Sequence, residues 1–246
     1  MLRAVALSML LFLTGEAVAC QLTMPARLAA FDDSLFVLTG TVQEIVGPIV
    51  SDNVTGEAFA LRVRVTENLH SPQPGAAVVD VFQYNLGAGC DAIGMSRSDL
   101  AVRFPPGTAV RVVARAARKV PPARSGAPLR LEAGPYNAHA LVTPIYPEEP
   151  LSASLAGVYD FAVAIDVDRF ERIDARRFDW LWYDGVVQFE AIKEVLRLER
   201  AGTEAERVAI LDRAQHNPAT RTLDFAGLVR RFVEDPAVAA RLIGPP

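Results

Sequence analysis

The chain has 246 residues, of which 51% are apolar and 22% charged, and its formal net charge is −4. That profile belongs to a globular protein with room for one large or two ordinary domains, and it excludes a disordered chain. The negative balance removes the general attraction of a basic protein for polyanions, so no nucleic-acid partner is expected.

Residues 1–19 are expected to be a cleavable export signal. Arg3 supplies the positive start, residues 4–13 form an apolar run broken only by Ser8, and Ala17-Val18-Ala19 presents the small residues of a cleavage site. That run is too short to span a bilayer, and no later segment has the roughly 18 consecutive apolar residues of a membrane helix. The expected location is therefore the periplasm or the extracellular space, with Cys20 as the first mature residue. A Cys directly after Ala-Val-Ala also fits a lipoprotein signal, with Cys20 lipidated and anchored in the outer membrane. Ala17 stands where such signals usually carry Leu, and Gly15-Glu16 separate the apolar run from the cleavage site; both favour soluble release.

Cys20 and Cys90 are the two cysteines. In an exported protein the default for such a pair is a disulfide. The bridge would close a loop of about 70 residues and contribute roughly 4 kcal/mol through the entropy of the unfolded chain. Two cysteines without a nearby histidine cannot build a structural zinc site, and neither a metal nor a cofactor is expected.

Residues 31–145 read as strands, within a first domain expected at 20–147. The run 35–42 is rich in β-branched and apolar residues and holds Gly40, suited to a bend. In 59–66, Leu61, Val63 and Val65 alternate with Arg62 and Arg64, the period of a half-buried strand. A third strand is expected at 78–84, a fourth at 109–115 after the turn Pro105-Pro106-Gly107, and a last at 129–131 continuing near 140–143. Five strands at this spacing predict a small closed or partly open barrel.

From residue 148 the period changes to helical, giving an α+β fold with a C-terminal helical domain at 148–246. Leu181, Trp182, Phe189, Ile192, Val195 and Leu196 recur at three- and four-residue steps. Gly202 ends that helix, Thr203 with Glu206 forms a capping box for the next, and Thr222 is expected to cap a third. Asp235-Pro236 starts the last helix and Gly244 stops it.

The first part resembles the netrin-like module of the tissue inhibitors of metalloproteinases, and similar modules of exported bacterial proteins. The likeness rests on Cys20, a Leu-Phe-Val strand over 35–42, the alternating strand at 61–65, a Gly75-led strand to Val81, Cys90, and a Gly107-led strand to Val113. It covers about residues 20–120 and implies a five-stranded OB-like β-barrel. In that family the α-amino group and carbonyl of a terminal Cys chelate a protease's zinc, which would make Cys20 a metal-chelating terminus and the chain a metalloprotease inhibitor. This chain has Cys20-Gln21-Leu22 in place of the animal Cys-x-Cys and lacks that family's further cysteines.

No catalytic constellation stands out. His70, His139 and His216 are scattered and lack metal-binding spacing. Asp166, Asp168, Glu171 and Asp174 miss the EF-hand pattern and read as a solvated acidic face. Ser96 and Ser98 are expected in a loop, outside any Gly-x-Ser-x-Gly frame. Arg111, Arg115, Arg118 and Lys119 form the one basic concentration, an anion-binding patch for lipid heads or envelope polyanions, or simply a charged strand face. Trp180 and Tyr183 lie off the apolar helical face and are the aromatics placed to stack on a ligand. The sequence therefore predicts an exported, non-enzymatic binding protein that recognises a protein or an envelope component. A protease inhibitor, an outer-membrane lipoprotein and an enzyme with its site between the two domains are the alternatives.

Overall fold

The computed structural model describes residues 30–73, 75–86, 92–134, 142–145, 180–217, 220 and 223–244. The export signal, Cys20, Cys90 and the boundary near residue 147 lie outside the described residues.

The chain is mixed α+β, strands first and helices after. The strands are β1 (Phe36–Ile49), β2 (Ala58–His70), β3 (Val78–Leu86), β4 (Ala92–Gly94), β5 (Ala109–Ala116), β6 (Leu129–Ala133) and β7 (Val142–Ile145). A short helix α1 (Arg97–Arg103) separates β4 from β5. After β7 come α2 (Trp180–Arg200), α3 (Glu204–His216), α4 (Phe225–Phe232) and α5 (Pro236–Ile243).

Five of the strands close on themselves. β1 pairs antiparallel with β2 and with β5, β2 with β3, and β5 with β6. The parallel pairing of β3 with β6 completes the ring. β4 pairs with β3 and β7 with β5, both outside the ring. The last expected strand is thus two, and only β6 belongs to the ring.

Alternation fills the ring. Phe36, Leu38, Leu61, Val63, Val79, Val81, Val110, Val112 and Leu131 are buried together inside it. On β1 the register shifts at Gly40, where a Cβ would strike the Val63 side chain and the Arg64 carbonyl. The bend therefore needs glycine for close approach of two backbones. The segment expected as a loop around Ser96 is instead α1: Ser96 is its N-cap, accepting from Asp99 N–H at 3.1 Å. Leu100, inside this helix, and Phe104, just after it, are fully buried against the ring's core.

Two outward residues, Val37 of β1 and Val113 of β5, are apolar as well because the helices cover them. Leu35, Val37 and Val113 share one buried cluster with Phe189, Ile192, Val195 and Leu196 of α2, Leu211 of α3, and Leu228 and Val229 of α4. The helices therefore complete their core with side chains of the ring. Gly185 of α2 lies directly on Thr143 of β7, close enough that no side chain fits between them. A third cluster, holding Ala58, Ala60, Phe82 and Tyr84, covers the outer face of β2 and β3 under Val54 and Val120.

The helix ends follow their sequence signals. Thr203 and Glu206 form the capping box of α3, and Asp235 with Pro236 opens α5. Gly244 stops α5 with φ at 81°. The cap of α4 is Asp224, accepting from Gly227 N–H at 3.0 Å, in place of Thr222. Among the described residues, no helix is long and apolar enough to cross a membrane.

Candidate functional site

The ring and the helices meet at a crevice of about 270 Å³. One wall comes from the start of the ring. Asp32 orders the turn before β1, accepting from Ser34 N–H at 2.9 Å and from Ser34 Oγ at 2.7 Å. That turn sets Phe31 and Asp33 beside His70, the last residue of β2, which pairs with Val37. The His70 ring meets Phe31 edge to face with centroids 4.6 Å apart, and its Nε2 lies 3.2 Å from the Asp33 carbonyl oxygen.

The other wall is helical. Leu196, Glu199 and Arg200 come from the last turns of α2, and Arg231 from α4. Arg231 and Glu199 form an ion pair at 2.8 Å. Arg200 Nη2 donates to the Leu69 carbonyl and so ties the end of α2 to the end of β2. The crevice thus carries two carboxylates, two guanidiniums, an imidazole and an aromatic ring on one open surface. It can hold a ligand with charges of both signs and an apolar face, and it lies where two packed bodies join, a common place for binding sites.

The basic residues singled out from the sequence are dispersed. Arg111 and Arg115 sit on the outward face of β5, about 13 Å apart along the strand. Between them Val113 is covered by the helices. Arg115 is engaged with Asp32 at 2.5 Å and Ser34 Oγ at 2.7 Å. The hydrogen bond from the Ser34 hydroxyl holds the Asp32 carboxyl below its ordinary value; burial opposes this, and the Arg115 charge adds to it. Arg118 and Lys119 lie beyond the strand, and their backbone N–H groups donate to one Glu132 oxygen at 2.9 and 3.1 Å. Glu132 is itself only 4% exposed, so these two bonds anchor the segment after β5 to the sheet.

Trp180 and Tyr183 belong to the first turn of α2, and their side chains lie outside the described residues, as do Cys20, Cys90, His139 and the acidic run 166–174. His216 is exposed, with Nδ1 2.8 Å from the Asp212 carbonyl. Ser96 is spent on the cap of α1, bonded to Asp99 and Ser98. Among the described residues no three His, Cys, Asp or Glu side chains gather as metal ligands.

Sequence reasoning missed the crevice because its residues come from four separate parts of the chain. His70 was visible only as a strand-end histidine. The local signal is Arg200 in the last turn of α2, where a cation also favours the helix dipole.

No family model, no curated protein and no solved structure matches this chain.

Proposed function

We propose that this chain is an exported, non-enzymatic binding protein of the cell envelope or the extracellular space. In this reading the ring is an OB-like, netrin-like barrel, and its seam with the helices recognises a protein or an envelope component. The barrel reading is supported by the closure through one parallel pair, β3 with β6, and by α1 placed over the ring's core between β3 and β5. Export rests on the three-part pattern of residues 1–19.

The observation that carries the binding reading is the seam crevice itself, where Phe31, Asp33, His70, Arg200 and Arg231 converge. Its ion pair and its bond to Leu69 brace the walls, so a ligand meets a preformed surface and little ordering entropy is lost on binding.

Site-directed photo-crosslinking in the native host tests this. A crosslinking residue at Asp33 is expected to give one dominant adduct in the periplasmic or envelope fraction. The same residue at Val102, which is 85% exposed on α1, serves as the remote reference. Equal adducts from both positions, or adducts confined to the cytosol, overturn the reading.

A further inference from the structure

A larger cleft, of about 380 Å³, runs along the hairpin of α2 and α3. Its floor is Ala201, Ala209 and Ile210, and the two alanines keep it open where larger side chains would fill it. Three arginines surround that floor, Arg197 and Arg200 from α2 and Arg213 from α3, with Glu206 as the one acidic group.

The charges do not cancel within the cleft. Glu206 is committed to the cap, accepting from Gly202 N–H at 2.9 Å and Thr203 N–H at 3.3 Å. Arg197 has a carboxylate partner in Glu194 on its own helix. Arg200 donates to the neutral Leu69 carbonyl, and among the described residues it has no carboxylate partner. Arg213 is exposed and makes no hydrogen bond or ion pair among the described residues. Three guanidiniums thus face one carboxylate within the cleft lining, on a chain whose overall charge is −4.

Like charges held together in this way repel, and helix-dipole stabilisation at the last turns, about 0.3–1 kcal/mol each, offsets only part of the cost. A bound anion removes it. Guanidinium forks match the oxygens of phosphate and carboxylate in paired hydrogen bonds. A tetrahedral phosphate group turns its oxygens in different directions, so guanidiniums on two helices can each take one, whereas a planar carboxylate suits a single fork.

We propose that the α2–α3 cleft is a binding site for a phosphate-class oxyanion, held by Arg200 and Arg213 over the Ala201–Ala209 floor, with Arg197 at its edge. The source is either a soluble phosphate or the phosphodiester head of an anionic lipid. The proposal deepens the envelope-binding reading by naming a ligand chemistry, and its test separates the two.

The test uses the exported full-length protein. Inorganic phosphate is titrated at constant ionic strength while backbone amide shifts are followed by NMR. Co-sedimentation is then measured with phosphatidylcholine vesicles, with and without phosphatidylglycerol. Saturable shifts confined to the residues around the cleft are expected. Arg213→Gln is expected to weaken phosphate binding about tenfold, the loss of one charge-assisted fork. Arg230→Gln, at an exposed arginine of α4 away from the cleft, is expected to leave binding unchanged. Arg213→Lys keeps the charge without the fork and is expected to fall between them, with melting curves showing that each variant is folded. Diffuse shifts, or an Arg213→Gln effect no larger than that of Arg230→Gln, overturn the proposal. Vesicle binding that needs phosphatidylglycerol and is lost in Arg213→Gln supports it with the lipid head as source. Phosphate binding without vesicle binding also supports it, with a soluble anion as source, and counts only against the envelope reading.

Discussion

Replacing Gly185 by Ala tests how the helices sit on the ring. In an ordinary helix interior this change stabilises by about 1 kcal/mol, because Gly loses more backbone freedom on folding than Ala. Here the added Cβ would overlap Thr143 Oγ1 and lie 3.1 Å from Thr143 Cβ and 3.3 Å from its Cγ2. Rotating Thr143 gives little relief, since its Cβ is already too close and the residue is only 2% exposed. Strain of this kind costs typically 1–3 kcal/mol. Set against the propensity gain, the net expectation is a loss of about 1 kcal/mol, read as a lower urea midpoint at unchanged slope. The double variant Gly185→Ala/Thr143→Ala removes both Thr143 methyl and hydroxyl, so a coupling of at least about 1 kcal/mol should appear in the double-mutant cycle. A Gly185→Ala protein more stable than wild type by the full propensity gain would refute the close packing of α2 on β7.

Three further outcomes follow from buried or paired polar groups. Tyr84 is 2% exposed and its hydroxyl has no hydrogen-bond partner among the described residues, so Tyr84→Phe should leave stability at pH 7 unchanged or raise it by up to about 1 kcal/mol. Burial, helped by the Glu132 charge, pushes that phenol above its ordinary value of 10.0. The unfolded chain therefore ionises first, and wild type should lose stability above pH 10 in a urea series where Tyr84→Phe does not. Glu132→Ala should cost about 1–3 kcal/mol by leaving the Arg118 and Lys119 N–H groups without their acceptor, with faster amide exchange at both. Asp32→Asn should be less stable than wild type at neutral pH, because a carboxyl whose folded value is lowered stabilises the fold above its unfolded value. The gap should close as the pH falls past the ordinary 3.8, and thermal melts from pH 7 to pH 2 would show it. A gap constant over that range would contradict the pairing of Asp32 with Ser34 and Arg115.

Much of the fold was legible because local rules and tertiary structure agree. The alternation from Leu61 to Val65 put Leu61 and Val63 inside the ring and Arg62 outside, where it pairs with Asp80 at 2.9 Å. Thr203 with Glu206, and Asp235 with Pro236, mark helix starts because their side chains satisfy free backbone donors. What escaped has physical reasons. The helix α1 spans seven residues and places only Leu100 within it in the core, too little for a period to show. Strand β1 runs on through Pro48 because that stretch pairs only with β2, so the missing N–H is tolerated. The unbroken apolar stretch Leu35-Phe36-Val37-Leu38 carried a signal of its own: a strand apolar on both faces is covered on both, here by the ring's interior and by the helices. The seam crevice was not legible, since Phe31, His70, Arg200 and Arg231 meet only through tertiary packing.

Intact mass with non-reducing peptide mapping, on protein from the host envelope, tests the central claim most directly. A mature chain beginning at Cys20 is expected, lighter by two hydrogens, with a peptide linking Cys20 to Cys90. A chain that retains residues 1–19, or one that carries a diacylglyceryl group on Cys20, would contradict it.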